Sequence, residues 1–472
     1  MKIYFIMAWR NIWRNRRRTL ITAASVFFAL LLALVMRAVQ VGSYDMMIQT
    51  ALESYSGYLQ IQHPDYKEDR SLDNTFESNP VLIDSLKAMP GVSAVIQRLE
   101  GFALSSSGEQ TKPAMIVGIT PDEEAKLTML DQKLVKYRVS DDALAKAKAM
   151  NLPDDLIEKL NALHDKAYAN QTKLYTDLQL SDDQIEMHGN NINTALAFSC
   201  RYINDADSGV LVGYGLAQYL NLELGDTIVL ISQGYQGNSA AGKYPVVGFI
   251  KFPVPQFDRG VIYMPLALAQ TYFSAPGMLT SVVLNADDKR SNSIDNIESN
   301  IAGMAALDGN KVYAWPKLNK ELVQQIESDK SSSYLMIGIL YLVVAFGIFG
   351  TVLMMIAERK REFGVMMAVG MQKWKIILVV VIEILIIGIM GIVASFLASI
   401  PIIQWYRLHP IHYTGDMAKA LEGFGIEPIL PMAFDIPFMI QQVWVVVILI
   451  VLASIYPLLS ILRLNAMKAL HS

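Results

Sequence analysis

AERKREFGVMMAVGMQKWK, Ala357 to Lys375, stands between two of the most apolar runs of the chain, Ser331 to Ala357 and Ile376 to Tyr406. The first of these runs carries no charged residue inside it, and the second carries only Glu383 toward its start. A hydrocarbon core is crossed by roughly 20 apolar residues rising about 1.5 Å each, and both runs exceed that length. A short basic segment between them is therefore a loop at one membrane surface, and it fixes the side on which every other segment lies.

Two further uncharged runs, Thr19 to Met36 and Ile436 to Leu462, meet the same length criterion. Spans are expected at residues 19–41, 331–357, 376–400 and 438–462. With 53% hydrophobic and 18% charged residues in 472 and a mean hydropathy of +0.30, the chain is too apolar for an ordinary soluble enzyme. Arg16, Arg17 and Arg18 precede the first run as they would in a signal peptide. Its uncharged core is longer than a signal core, however, and no small-x-small cleavage site follows, so a retained anchor is expected.

Basic residues set the orientation. The segment 1–18 holds Lys2, Arg10, Arg14, Arg16, Arg17 and Arg18 and no acid, the middle loop 358–375 is net basic, and the tail 463–472 holds Arg463 and Lys468. All three fall on one side, so both termini are expected in the cytoplasm. The acidic region 42–330 and the loop 401–437 then lie outside. Every basic cluster abuts a span, where orientation and anionic lipid account for it, and no nucleic-acid partner is expected. The single cysteine, Cys200, has no partner for an internal disulfide.

The fold class expected is an α-helical membrane protein with four transmembrane helices and a large α+β extracytoplasmic domain inserted between helices 1 and 2. "VQVGSYDMMIQTALESY" continues the first span outward and "PKLNKELVQQIESDKSSS" leads into the second, as helical stalks. Between them, "GYLQIQH" alternates as a strand, "NPVLIDSLKAMPG" reads as a short helix, and "VSAVIQRLEGFALSS" with "KPAMIVGI" reads as a strand pair. A Gly-free, Lys/Asp/Leu/Ala-rich stretch, residues 123–187, reads as an insertion of two or three helices, after which strands resume.

Few residues invite catalytic chemistry. "GNSAAGKY" gives Gly237, Gly242 and Lys243 the spacing of a phosphate-binding loop, but Tyr244 replaces the Mg²⁺-binding hydroxyl and Pro245 with a strand-like run replaces the helix. His409 and His412 are the only close histidine pair, and Pro410 between them breaks any shared helical face, so no metal is expected. Glu383 is the one ionisable group well inside a span, where snorkelling or a hydrogen bond between helices is a better reading than a proton relay, because Arg37 sits at the opposite membrane face.

Packing and docking signals are stronger. Ser25, Ala29 and Ala33 in the first span and Gly391, Ser395 and Ser399 in the third recur every fourth residue, a spacing that lets these helices approach closely. Phe5, Ile6, Trp9, Ile12 and Trp13 share one face of an N-terminal helix lying along the membrane, opposite Arg10, Arg14 and Arg17. In the middle loop Phe363, Met367, Met371 and Trp374 share a face that Glu358, Arg361, Glu362 and Lys373 avoid. Such a stripe is expected to dock on a cytoplasmic partner.

"AWRNIWRNRRRTLIT", "ERKREFGVMMAVGMQKWKI" and "SILRLNAMKALHS" together resemble the FtsX-like permease family, membrane subunits of mechanotransmitting ABC transporters. The resemblance covers nearly the whole chain. It implies that Glu358, Arg359, Glu362, Gly364 and Gly370 belong to a coupling element seated on a separate ATPase subunit, with ATP and Mg bound there and no cofactor on this chain. Within the outer domain, "DSGVLVGYGLAQYLNLELGDTIVLI", "PQFDRGVIYMPLALAQTYF" and "AWPKLNKELVQQIESDK" resemble the permeases that release lipoproteins from the inner membrane, with macrolide-exporter permeases next. The family's carrier-capture loop matches "SQGYQGNSAAGKYP", where Gln233, Tyr235 and Lys243 are the contact candidates. A homodimer or a heterodimer with a second permease is implied, acting on a lipoprotein or amphiphile. A membrane-anchored sensor or scaffold is the reading from another class.

Overall fold

The structure is a computed structural model and describes residues 2–14, 16–288, 291–304, 307–413, 415–423 and 428–463. The basic tail beyond Arg463, with most of "SILRLNAMKALHS", lies outside the described residues. The chain divides into a helical unit (Met1–Met47, Glu321–Tyr413 and Ile429–Ser472) and an α+β unit (Ile48–Lys320 and Thr414–Pro428).

The helical unit is built on four long apolar helices, Arg16–Ala51, Lys320–Glu358, Lys373–Leu408 and Ile436–Leu462. Even the shortest, with 27 residues, is about 40 Å long at about 1.5 Å per residue, longer than a hydrocarbon core. Leu335, Ile339, Leu342 and Phe346 line an exposed face of the second, and Ile389, Val393 and Leu397 one of the third. Apolar faces this long fit lipid as their solvent and not water. Small residues seat the third helix on the first. A Cβ on Gly391 would stand 2.8 Å from both Ala23 O and Val26 Cβ, and Ala29, Ala33, Ser395 and Ser399 are buried. Ser25 falls off this contact, its hydroxyl returned to Ile21 O at 3.0 Å. The segment before the fourth helix docks on the first through Ala433 N, which donates to Ala38 O at 2.9 Å.

The α+β unit is organised by nine strands, β1 Leu59–Gln62, β2 Val92–Ser107, β3 Gln110–Ile119, β4 Val210–Gly213, β5 Thr227–Gln233, β6 Ser239–Ile250, β7 Val261–Pro265, β8 Ser281–Ala286 and β9 Lys311–Ala314. Their order is β9-β1-β8-β2-β3-β7-β4-β6-β5, and β5 pairs back to β2. Six strands thus close into a ring, and three extend from it. Strand β2, 16 residues long, serves two neighbours along one edge. Its first half pairs with β8 (Arg98↔Ser281) and its second with β5 (Leu104↔Ile231), while β3 runs along the other edge (Gly101↔Ile116). At Gly101 a Cβ would stand 2.6 Å from Phe273 Cζ, so glycine there admits the Phe273 ring to the core. Phe249, Phe273, Leu99 and Ile262 are among the side chains that fill it.

The insertion contains more helices than its composition suggests. After Pro121–Thr128 come Asp141–Ala149, Asp154–Ala162, Gln171–Asp177 and Asp182–Leu196, where two or three were expected over residues 123–187. The breaks fall on Met129, Asn151, Asp165 and Gln179, all at positive φ. Left-handed residues other than glycine end helices without the usual marker. The block has its own core, with Leu144, Leu156, Leu160, Leu174 and Ile192 buried together.

One ion pair lies wholly inside the α+β unit. Arg98 donates from Nε to Glu124 Oε2 at 2.9 Å and from Nη2 to Glu124 Oε1 at 2.6 Å, with both side chains 0% exposed. Removing one partner would strand the other charge in a low-dielectric interior, at a cost of about 3–5 kcal/mol. Urea unfolding of the full chain is expected to show that loss for Arg98→Leu, and a smaller one for Arg98→Leu combined with Glu124→Leu.

Candidate coupling site

The loop between the second and third long helices folds as a helix, Lys360–Ala368. Met371 N donates to Met366 O at 2.9 Å and Gly370 N to Met367 O at 3.0 Å, the two reversed bonds of a Schellman ending. That ending requires a left-handed residue, and Gly370 supplies it at φ +101. The next helix begins at Lys373, whose Nζ donates to Leu462 O at 2.8 Å and so satisfies a terminal carbonyl of the fourth helix.

A ladder of alternating charges holds this short helix. Arg359 is buried, with 4% of its surface exposed. It donates from Nη1 to Glu383 Oε2 at 2.7 Å and from Nε to Glu362 Oε2 at 3.1 Å, and its guanidinium lies 5.2 Å from the Phe363 ring centroid. Arg14 Nη2 donates to the other oxygen of Glu362. Burial would push the Glu362 carboxyl up, but its bonds to Arg14 and Arg359 outweigh that and hold it below the usual carboxylate range. Arg14, Glu362 and Glu383, from three helices, are thereby linked through Arg359, which lies in the turn before the loop helix.

This geometry gives Glu383 a hydrogen-bonding role between helices, with a partner that the comparison with Arg37 had passed over. The signal was available in the sequence. An acid inside a span needs a cation within reach, and Arg359 is the basic residue closest to the end of the second apolar run.

The apolar stripe of the loop points the other way from the expectation. Phe363 is 1% exposed, and Met366, Met367 and Met371 pack on the same core of the helical unit. The stripe therefore fills the chain's own interior, and Gly364 is buried with it. What remains outside is Arg361, Glu362, Val365, Ala368, Val369, Gly370, Gln372, Lys373 and Trp374, with Val369 85% exposed. Val365 and Val369 are one turn apart and flanked by charge, and Trp374 is anchored by its Nε1 donating to Gln372 Oε1 at 2.7 Å. Glu358 is exposed just before the loop helix. In the N-terminal helix Lys2–Arg14, Ala8 and Ile12 are the buried pair, while Phe5, Ile6, Trp9 and Trp13 are exposed. Ile12 is thus covered by protein, while its neighbours on the expected face stay exposed.

The expected carrier-contact residues lie on the hairpin of β5 and β6. Its turn is tied down, because Tyr235 N donates to Phe273 O at 2.8 Å and Gln236 N to Asp73 Oδ1 at 2.9 Å. Gln233 and Lys243 are exposed, whereas Tyr235 is half-buried. The stretch resembling a phosphate loop runs into β6 with no helix after it, so backbone amides do not converge there as phosphate binding requires.

Breaking the membrane pair tests the ladder. Glu383→Leu is expected to lower stability in detergent by about 3–5 kcal/mol, and Glu383→Leu with Arg359→Met by less than either single change. Thermal unfolding followed by tryptophan fluorescence reads both.

Residues 334–466 match the family model described as FtsX-like permease C-terminal. Among curated proteins, a lipoprotein-releasing system transmembrane protein LolC of Xylella fastidiosa (strain Temecula1) is 18% identical over 391 residues, covering 81% of this chain and 78% of the relative. The protein of that name from Neisseria meningitidis serogroup B (strain MC58) is 19% identical over 198 residues, covering 40% of this chain and 47% of the relative. Among solved structures, the extracellular domain of the noncanonic ABC-type transporter YknZ from Gram-positive bacteria covers 54% of this chain and 98% of its own, at 12% identity and a TM-score of 0.29. The periplasmic region of MacB from Actinobacillus actinomycetemcomitans covers 60% and 97%, at 11% identity and a TM-score of 0.31. The second, third and fourth long helices, with the charge-laddered loop between the first two of them, thus make up an FtsX-like permease C-terminal domain.

Proposed function

We propose that this chain is the membrane subunit of an ABC transporter, coupling ATP hydrolysis on a separate cytoplasmic ATPase to work on a lipoprotein outside the inner membrane. The chain itself is non-catalytic, and ATP and Mg bind the partner. The observation that carries this reading is the loop helix Lys360–Ala368, which buries one face on its own core, is fastened to the third long helix by Arg359 and Glu383, and presents Arg361, Val365 and Val369 outward. A docking surface fixed by buried charge passes a push into the helix behind it, whereas a slack loop would absorb it.

With both termini in the cytoplasm, a reading the basic segments support, that surface faces the ATPase. Two copies, or this chain with a second permease, then meet two ATPases. Four spans are few for a conduit, so the work is done on cargo at the outer leaflet and not through a pore. The choice of lipoprotein follows the curated relatives, which are lipoprotein-releasing system proteins. A small amphiphile is the other cargo class.

Affinity purification of the full chain from its native membrane is expected to bring down a Walker-motif ATPase. Arg361→Glu with Val369→Asp is expected to reduce that recovery, and ATP-dependent lipoprotein release after reconstitution, by about tenfold or more. Undiminished recovery and release would contradict the coupling role, and consistent absence of any ATPase would favour a scaffold.

A further inference from the structure

The end of the first long helix, from Ile48 onward, belongs to the α+β unit and is held there by that unit's own residues. Its helical path passes at Leu52–Ser56 into a π-helical turn, and Gly57, at φ +61, donates its amide to Leu52 O at 3.0 Å. A Cβ on Gly57 would stand 2.4 Å from Val283 Cγ1, so glycine alone turns the chain toward β1 there. Carbonyls at a helix C-terminus lack helical partners and gather partial negative charge. Two cations of the α+β unit meet them.

Arg98 Nη1 donates to Tyr55 O at 2.6 Å, and Lys133 Nζ donates to Glu53 O at 3.2 Å. Arg98 is the residue already clasped by Glu124, and its guanidinium lies 5.0 Å from the Tyr55 ring centroid. The Tyr55 hydroxyl donates to Glu100, two residues along β2, whose carboxylate also takes the Tyr66 hydroxyl at 3.5 Å. The segment just before the second long helix is joined to the same place. Asn319 Nδ2 donates to Ser56 Oγ at 3.1 Å, Trp315 N donates to Tyr58 O at 2.9 Å, and β9 lies directly beside β1 (Ala314↔Leu59). Burial pulls the Lys133 ammonium down to about 8. A core that needed only stability would be better filled with hydrocarbon, since buried ion pairs seldom outperform it.

We propose that Arg98, Glu124, Glu100, Lys133 and Tyr55 form a rigid coupling that makes the end of the first long helix and the barrel move as one piece, with Arg98, Lys133 and Tyr55 as positioning residues. The proposal deepens the transmission reading above and rests on it.

The test uses the full chain with its ATPase in lipid bilayers, with Cys200→Ser and spin labels on cysteines at Gln49 and Lys243, both exposed. Tyr55→Phe with Lys133→Met is expected to leave ATP turnover within about twofold of the parent, lower lipoprotein release by about tenfold, and broaden the distance distribution between the labels when nucleotide binds. Lys133→Arg, which keeps the cation, is expected to restore both. Release and a narrow distribution unchanged in the double variant would overturn the proposal. So would a lower melting temperature with no rescue by Lys133→Arg, which would assign the cluster to folding alone. A parent complex with no nucleotide-driven release would instead sink the transmission reading, and this proposal with it.

Discussion

A guanidinium taken out of water must meet a carboxylate, and each unit of this chain is fastened by one such meeting. In the helical unit Arg359 meets Glu383, and in the α+β unit Arg98 meets Glu124. Neither pair is an economical way to stabilise a core, because desolvating two ions cancels most of their attraction. What a buried pair does provide is direction. A bidentate or short charged bond fixes the relative position of two backbones more tightly than side chains that can slide past one another.

On the coupling role proposed above, position is what the chain must preserve. The loop helix Lys360–Ala368 is bound through Arg359 to the third long helix and through Glu362 to Arg14. Its apolar side is spent on its own core, and only a narrow outward strip remains for a partner. In the other unit the last turn of the first long helix is held by Arg98 and Lys133, and the strand leading to the second long helix pairs with β1, the strand that follows that turn. Both segments that connect to the long helices therefore root at one sheet edge.

Much of this was legible in the sequence, and the exceptions have physical causes. Hydropathy and the placement of Arg and Lys disclosed four spans and the large insertion after the first, because a bilayer tolerates so few alternatives. The strand pair of β2 and β3 was readable as alternation. Closure of the ring was not, because it depends on β2 changing neighbours midway, at a point where Gly101 is the only trace. Helical periodicity identified Phe363 and Met367 as one face but carried no information about which side of that face is covered. The two buried pairs join residues 24 and 26 positions apart, a separation at which only the folded backbone reveals the contact. Helix breaks in the insertion were hidden because Asn151, Asp165 and Gln179 turn left-handed without glycine.

If the chain is a lever, its two ends must respond together. Hydrogen–deuterium exchange on the full chain with its ATPase, with and without a nonhydrolysable nucleotide, reads both ends in one measurement. Protection appearing over residues 361–374 together with altered exchange over 48–58 is the result a rigid lever gives. Protection at 361–374 with exchange at 48–58 unchanged would mean that the push stops at the membrane, and the lever would be refuted.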